Sequence, residues 1–264
     1  MTNLQTKPKL TTGQLRILTH IYRFRFLTSM QIQQLMKHKN RARINIWLRG
    51  LRDIGFITWH YDHEAGQNMK PAICSLSPEG AKYLKLLSLY PAAGLSLRRR
   101  DKDRSPAFVQ KCIMLANISI SLRHTNKPDT SYQMLNASDW ETAGPNLEFI
   151  RQLAPDLWIT RTYGQEQTDF LLEIFDPTLP AYMVKKRIRD YIDCHAEDEW
   201  HEQINTPFPT VLFVCPTLAR LIYAKRTARR LLAQDADPDD LALGFTTFDK
   251  LRAQSISADI WEPA

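Results

Sequence analysis

Residues 153–177, LAPDLWITRTYGQEQTDFLLEIFDP, contain two short apolar runs, and each run is associated with an acidic residue. Pro155-Asp156 opens the first run, and Glu173 lies inside the second run seventeen positions later. Both runs are short and bounded by polar turn residues, which is typical of β-strands. The stretch therefore predicts two neighbouring strands that present an aspartate and a glutamate close together.

The segments around these two strands alternate between helical and strand patterns. Helices are predicted at 106–125, 181–203 and 218–234, and strands at 131–140, 154–160, 168–176 and 209–216, with strand-like pieces at 242–251 and 257–263. The run PTVLFVCP at 209–216 is almost wholly apolar, as expected for a strand covered on both faces. The order predicts an α/β domain around a mixed sheet over residues 106–264.

Residues 10–90 carry a different, α+β pattern. Helices are predicted at 11–26, 28–37, 41–54 and 77–89, with Thr11, Thr28 or Ser29, and Ser77 as N-terminal caps. Two strands, FITWH and PAICSLS, flank the polar turn 61–70. Three helices followed by a two-stranded wing is the order of a winged helix-turn-helix. In that fold the third helix enters the DNA major groove.

The third predicted helix divides into an apolar stripe and a basic face. Its predicted buried stripe is Ile44, Trp47, Leu48, Leu51 and Ile54. The residues that we expect to contact DNA are Lys39, Arg41, Arg43, Asn45, Arg49 and Arg52, together with Lys70 in the wing. For any single arginine a solvated helix face is an equally good explanation, so the prediction rests on the set.

The charge of the chain is unevenly distributed. Residues 1–90 hold 14 basic and 4 acidic residues and residues 91–105 hold 5 and 2, whereas residues 106–264 hold 16 and 22. A front part with a net charge of +10 predicts contact with a polyanion, and the helical pattern favours double-stranded DNA over a membrane surface. The alternative is a winged helix that contacts protein. Residues 91–105 predict a basic linker because they contain Pro, Gly, Ser and dense charge.

Several function classes are disfavoured by composition. No apolar run approaches the ~20 residues of a membrane helix, and residues 1–10 have no apolar core of a signal peptide. Four scattered cysteines without paired spacing suit reduced thiols. We therefore expect a cytoplasmic protein without a membrane partner.

The carboxylates of Asp156 and Glu173 could coordinate a hard divalent cation such as Mg²⁺ through oxygen. This arrangement resembles the PD-(D/E)XK nuclease fold, which keeps two acids on adjacent strands and a lysine two positions after the second. Here that position is Phe175, so Lys186, or its neighbours Lys185 and Arg187, would have to supply the cation. The predicted catalytic set is therefore Asp156, Glu173 and Lys186. The alternative is that Asp156 starts a strand, Glu173 pairs with a helix cation, and nothing is cut.

Four segments resemble the replication-relaxation family of plasmids and integrated mobile elements. They are SLSPEGAKYL at 75–84, APDLWI at 154–159, FLLEIFDPTLPAYMVKKRIRDY at 170–191 and FPTVLFVCPTLAR at 208–220. Positions that match the family's recurrent ones are Pro155, Asp156, Glu173, Asp176, the basic cluster 185–187 and Tyr191.

The resemblance implies a DNA-binding accessory protein in replication, mobilisation or transcription control of the element. Its nuclease-like domain would dimerise or dock on a relaxase or a replication initiator. The second hypothesis is a Mg²⁺-dependent endonuclease that the winged helix targets to DNA. Phe175 and the net charge of −6 on residues 106–264 favour the first hypothesis.

Overall fold

A computed structural model gives the fold and describes residues 9–60, 71–125, 127–140, 148–234 and 241–264. The chain divides into two compact units, Met1–Arg104 and Ser105–Ala264. Among the described residues, no helix combines the length and the apolar character needed to cross a membrane.

The first unit contains five helices and three short strands in its described part. In chain order they are α1 Thr12–Phe24, β1 Phe26–Thr28, α2 Ser29–Leu35, α3 Arg41–Asp53, β2 Ile57–His60, β3 Ile73–Leu76, α4 Pro78–Leu86 and α5 Ala92–Arg98. The strands form one antiparallel sheet in the order β1-β3-β2. The predicted helices and the two predicted strands are present, whereas β1 was not predicted. The turn at 61–70, with Lys70, lies outside the described residues.

Local capping explains where these helices begin. The Thr11 and Thr28 side chains each accept a hydrogen bond from the backbone N–H three residues later. In return, the side chains of Gln14 and Gln31 accept from the backbone N–H of the cap residue. These are capping boxes, which satisfy two N–H groups that a helix start otherwise leaves without partners. The side chains of Asn40 and Ser77 each accept a single bond from the backbone N–H three residues later, at the starts of α3 and α4. Three of these caps were predicted from the sequence, with Thr28 preferred by the structure over Ser29.

The aliphatic stripe of α3 is buried as predicted, with two exceptions. Ile44, Leu48 and Leu51 are buried, but Trp47 is only half-buried and Ile54 is 40% exposed. The prediction for Ile54 is wrong because α3 ends at Asp53 and Ile54 is already its C-terminal cap.

Residues 91–105, where a basic linker was predicted, form packed structure. They contain α5 and a single 3-10 turn, Asp101–Asp103, in which Arg98 and Asp101 are buried. The Arg98 Nε donates to the Tyr22 carbonyl at 3.1 Å, and its guanidinium lies 4.6 Å from the Tyr22 ring centroid. Asp101 pairs with Arg25. The local sequence could not reveal this packing, because Arg98 and Asp101 each find their partner 76 positions earlier in the chain, at Tyr22 and Arg25.

The second unit is a mixed sheet covered by helices. In chain order its elements are α6 Pro106–Arg123, β4 Thr130–Asn136, α7 Ala137–Trp140, α8 Glu148–Leu153, β5 Leu157–Tyr163, β6 Glu166–Ile174, α9 Ala181–Ala196, α10 Glu199–Ile204, β7 Thr210–Cys215, α11 Leu218–Leu232, β8 Leu243–Thr247, α12 Phe248–Ala253 and β9 Glu262–Pro263. The strand order is β4-β5-β6-β7-β8-β9. The β6-β7 and β7-β8 pairs are parallel and the others are antiparallel. This architecture confirms the predicted mixed α/β fold.

Alternate residues of the central strands contribute to two cores, one on each face of the sheet. Leu171, Val211 and Phe213 pack with α9 and α11, whereas Leu172 and Leu212 pack with the apolar side of α6. Both faces of β6 and β7 are therefore buried, which explains their nearly continuous apolar sequences.

Two predicted elements are interrupted. The helix predicted over 181–203 ends at Ala196, and α10 follows after Asp198, whose φ of 54° lies in the left-handed region. The strand predicted over 131–140 ends at Asn136 because the next residues form α7, and the Asn136 side chain accepts from the Ser138 N–H.

Candidate functional site

The two predicted acidic residues lie side by side at one end of the β5-β6 hairpin. Leu157 pairs with Leu172 in the register, so Asp156 and Glu173 occupy the next pair of positions. The Asp156 N–H donates to the Leu172 carbonyl at 2.9 Å, and its Oδ2 accepts from the Ile174 N–H at 2.7 Å. The hairpin therefore fixes the position of the Asp156 carboxylate.

A lysine that was not predicted contacts the first carboxylate. Lys111 Nζ of α6 lies 2.8 Å from Asp156 Oδ2, and the two side chains are 21% and 17% exposed. Lys111 is the only charged residue of α6 before Arg123. A single cation inside an otherwise uncharged helix is the sequence signal that could have identified it.

The second carboxylate is held by two side chains of α9. Arg187 donates through Nε to Glu173 Oε1 at 3.2 Å and through Nη2 to Oε2 at 2.6 Å, a bidentate contact. The Tyr191 hydroxyl donates to Oε2 at 3.0 Å. Arg187 and Tyr191 are separated by one helical turn, which places both on the face of α9 that meets the sheet. Both oxygens of Glu173 therefore accept hydrogen bonds.

Lys111, Asp156, Glu173 and Arg187 together form a charge cluster with no net charge. Burial raises the pKa of Asp156, Lys111 opposes this rise, and Glu173 adds to it. Burial works to lower the pKa of Lys111, but Asp156 and Glu173 outweigh it and the pKa is raised. Burial and the charge of Glu173 raise the pKa of Tyr191 well above its ordinary value, so its hydroxyl stays protonated as a donor.

The other predicted members of this site lie outside the cluster. Lys186 is 60% exposed and pairs with Asp190 at 2.9 Å, so Arg187 and not Lys186 contacts Glu173. Phe175, in the position where a lysine was expected, is 1% exposed and stacks on Phe213. Asp176 Oδ1 accepts from the Thr178 N–H at 2.7 Å, which is a turn contact.

The charge cluster as arranged does not fit a divalent cation. Magnesium requires carboxylate oxygens with free lone pairs and usually keeps several waters. Here Arg187 and Tyr191 contact both oxygens of Glu173, and Lys111 and the Ile174 N–H both contact Oδ2 of Asp156. The described residues also contain no group of three or more His, Cys, Asp or Glu side chains that could hold a metal ion.

The residues predicted to contact DNA lie at the start and on the outer face of α3. Lys39, Arg41, Arg43, Arg49 and Arg52 are exposed, and Asn45 is half-buried. Arg43 and Arg52 lie over aromatic rings, at 5.4 Å from the Trp47 centroid and 4.6 Å from the Trp59 centroid. Arg52 also pairs with Asp53 at 2.8 Å. The remaining exposed arginines have no comparable fixed geometry in the described structure.

Comparison with protein families gives one match that spans both units. The family model described as replication-relaxation matches residues 18–210, a segment that includes α3 and the charge cluster. The chain belongs to the replication-relaxation family. This confirms the resemblance seen in the sequence. Comparison with curated proteins gives no match.

Among solved structures, the family member is similar to the restriction endonuclease FokI. One match is FokI bound to DNA, with a TM-score of 0.31 and 13% identity, and another is FokI with a TM-score of 0.31 and 14% identity. Each alignment covers 95% of this chain and 45% of the FokI chain. At TM-scores this low the likeness carries no argument about this chain.

Proposed function

We propose that the chain is a DNA-binding accessory or regulatory protein of a plasmid or integrated mobile element that does not itself cut DNA. In this proposal the first unit binds double-stranded DNA through α3. The second unit serves dimerisation or docking on an element protein such as a relaxase or a replication initiator. The output is replication, mobilisation or transcription control of the element.

The observation that carries the proposal is the division of α3 into two faces. Ile44, Leu48 and Leu51 are buried against the unit, while the arginines of the outer face are exposed. We interpret the element order around α3 as that of a winged helix-turn-helix, a fold in which a helix in this position reads the major groove. Asn40 caps α3 and Lys39 precedes it, so the positive end of the helix dipole and several cations lie together.

The charge cluster supports binding without cleavage. A nuclease needs its carboxylates available for metal and substrate, whereas Asp156 and Glu173 are each compensated by a cation. A metal could coordinate both oxygens of Glu173 only if Arg187 and Tyr191 moved away from them.

One observation favours the alternative, a metal-dependent endonuclease. Lys111 brings a lysine within 2.8 Å of Asp156, so two acids and a lysine are close together although the lysine comes from α6 and not from β6. If Arg187 turned away from Glu173, this set would have the composition of a nuclease-like site. Lys186 would then have no role in the reaction.

The test is a cleavage assay on supercoiled element DNA with Mg²⁺ or Mn²⁺. It compares the wild type with Asp156→Asn, Glu173→Gln and Lys111→Met, and double-stranded DNA binding is measured in parallel. The expected result is no nicking by any protein and unchanged binding. Nicking by the wild type that all three variants lose would overturn the proposal in favour of the endonuclease.

The DNA-binding half is tested by the triple variant Arg41→Ala, Arg43→Ala, Arg49→Ala. Because each neutralised phosphate contributes about 0.9 to the salt slope, three lost contacts should reduce the slope by up to about 2.7 and weaken binding at every sequence. The matched control replaces three exposed cations outside α3, namely Lys82, Lys85 and Arg100. An equal loss in both triple variants would remove α3 from the proposal.

A further inference from the structure

Two adjoining cavities open on the α6 side of the second unit's sheet, away from the charge cluster. Their volumes are about 400 Å³ and about 220 Å³, and they share the side chains of Lys127, Tyr132 and Arg161. We call this surface the cationic groove, defined by Lys127, Tyr132, Arg161, Phe170 and Trp261. Neither the DNA-binding proposal nor the charge cluster uses it.

The strand register explains why these side chains meet. Tyr132 is directly opposite Arg161, which is directly opposite Thr168, so the three form a row across β4, β5 and β6. Residues directly opposite each other project from the same face of a sheet. Ile159 and Phe170 form the next row toward the larger cavity. Tyr132, Arg161 and Phe170 of the groove are therefore held on paired strands.

The groove is positively charged within an acidic unit. The lining of the larger cavity includes Lys127 and Arg161 and no carboxylate, and the smaller cavity adds one carboxylate, Glu166. The two cations therefore outnumber the acids in the groove, although residues 106–264 carry a net charge of −6. Arg161 Nη2 donates to Thr168 Oγ1 at 3.3 Å, and its Nε is buried without a hydrogen-bond partner in the described structure. Within the described ranges, neither cation forms an ion pair. An uncompensated guanidinium in a cavity favours an anionic ligand.

Aromatic rings lie on both sides of these cations. Tyr132, Phe170 and Trp261 are half-buried in the lining, and Tyr163 is 59% exposed at the smaller cavity. The Trp261 indole is fixed by donation from Nε1 to the Ile256 carbonyl at 3.0 Å. Rings held in place beside cations suit flat bases that are each linked to a phosphate.

We propose that the cationic groove binds single-stranded nucleic acid. Lys127 and Arg161 hold a phosphate where the two cavities meet, and the bases on either side lie against the aromatic rings of the two cavities. A ligand with repeating units accounts for two adjoining cavities that share one pair of cations, whereas a free nucleotide would use only one cavity. Together with the proposed function, the chain would bind duplex DNA through α3 and hold an unpaired strand through its second unit.

The experiment measures fluorescence anisotropy of an oligothymidylate of about twelve nucleotides with the full chain. The background is the triple variant Arg41→Ala, Arg43→Ala, Arg49→Ala, so that binding by α3 does not contribute. In that background Arg161→Met should weaken oligothymidylate binding by about tenfold or more, because it removes a charge-assisted contact. Arg161→Lys should retain most of the affinity.

The matched control is Arg230→Met. It removes one exposed positive charge from α11, which packs against the other face of the sheet. Ala258→Glu adds a negative charge to the lining without removing a contact and should also weaken binding. Thermal unfolding of each variant distinguishes lost binding from lost folding.

Four outcomes decide the proposal. Weaker oligothymidylate binding by Arg161→Met and Ala258→Glu, but not by Arg230→Met, supports the proposal. An equal loss of oligothymidylate affinity in Arg230→Met overturns it. Thymidine monophosphate binding as tightly as the oligonucleotide would indicate a free-nucleotide pocket, and duplex binding as tightly would remove the single-strand preference. The proposed function is tested separately, by duplex DNA binding of the protein that keeps the α3 arginines. Absence of duplex binding by that protein would overturn the proposed function and leave the groove proposal to its own measurement.

Discussion

At the scale of single residues, the second unit depends on how its buried charges are compensated. Glu173 is 8% exposed at its side chain and has Arg187 as its cationic partner. Lys186, one position earlier on α9, forms its ion pair with Asp190 and is 60% exposed. Two neighbouring cations on one helix therefore have very different consequences, because solvent screens one pair and not the other.

We predict that Arg187→Ala lowers the free energy of unfolding by about 3 kcal/mol, because it leaves the buried Glu173 carboxylate without its cation. The control Lys186→Ala should change stability by less than about 0.5 kcal/mol, since it removes an exposed pair. Urea denaturation of the full chain measures both. Equal effects of the two substitutions would contradict the buried role of Arg187.

A second residue-scale prediction concerns His60 in the first unit. Its Nε2 lies 2.7 Å from Ser75 Oγ, and burial lowers the pKa of His60, which Asp101 opposes in part. Because the folded pKa lies below the unfolded value of about 6.5, the unfolded chain binds the proton more readily. The contribution of neutral His60 to the free energy of unfolding is complete above about pH 6.5 and is lost as the pH falls toward the folded pKa.

The free energy of unfolding of the wild type should therefore decrease as the pH is lowered from about 7 to about 5. The free energy of unfolding of His60→Gln should decrease less over the same range. The exposed His201 provides a control, since His201→Gln should keep the wild-type slope. Chemical denaturation across this pH range gives the measurement. An identical slope in wild type and His60→Gln would refute the assignment.

At the scale of elements, two helical glycines illustrate how packing decides the effect of one methyl group. A Cβ at Gly80 in α4 would lie 2.1 Å from the Phe56 carbonyl oxygen, which is a backbone atom. A Cβ at Gly50 in α3 would meet only the end of the Gln14 side chain at 3.2 Å. The first contact is unavoidable, whereas the second can be relieved by rotation of a flexible side chain.

Gly80→Ala should therefore destabilise the chain by about 2 kcal/mol or more, because α4 must move away from the β2 end. Gly50→Ala should stay within about 1 kcal/mol of wild type, since the gain in helix propensity offsets the displaced amide. Thermal or urea unfolding compares the two. A destabilising Gly50→Ala together with a neutral Gly80→Ala would contradict the packing described.

At the scale of the whole molecule, the first unit exposes four leucines near α4 and α5. Leu86, Leu87, Leu89 and Leu97 are 60%, 41%, 44% and 46% exposed. Clustered exposed leucines mark interaction surfaces more often than isolated ones do. Winged helix-turn-helix proteins, the class proposed for this unit, commonly bind paired half-sites as two-fold dimers. We therefore propose this cluster as a second candidate for a homodimer contact, as an alternative to dimerisation through the second unit.

Light scattering after size exclusion should therefore give a dimer mass for the wild type. The double variant Leu86→Ser, Leu97→Ser should give a monomer with unchanged melting temperature, because the leucines are exposed in the single chain. The control Tyr182→Ser replaces an exposed side chain of the second unit and should stay dimeric. A monomeric wild type would exclude the dimer.

The sequence by itself determined the elements with a clear local signal. The helices around Ile17, Ile44 and Val184 follow from amphipathic periods, and Thr11 also marks the start of the first. The strands around Trp158 and Phe213 follow from short apolar runs. These signals are local, because caps and periodicity act within one or two turns. The closeness of Asp156 and Glu173 was also predictable from their neighbouring strands.

Only the tertiary structure decided which charges pair and which cations remain uncompensated. Lys111 reaches Asp156 from a helix 45 positions earlier, and Arg98 is buried by Tyr22, which is 76 positions away. Tyr132, Arg161 and Phe170 of the cationic groove meet through the register of β4, β5 and β6, and Lys127 and Trp261 join them from outside these strands. Ion pairs and cavities depend on distances between segments that are remote in the chain, and these distances are set by packing of the cores.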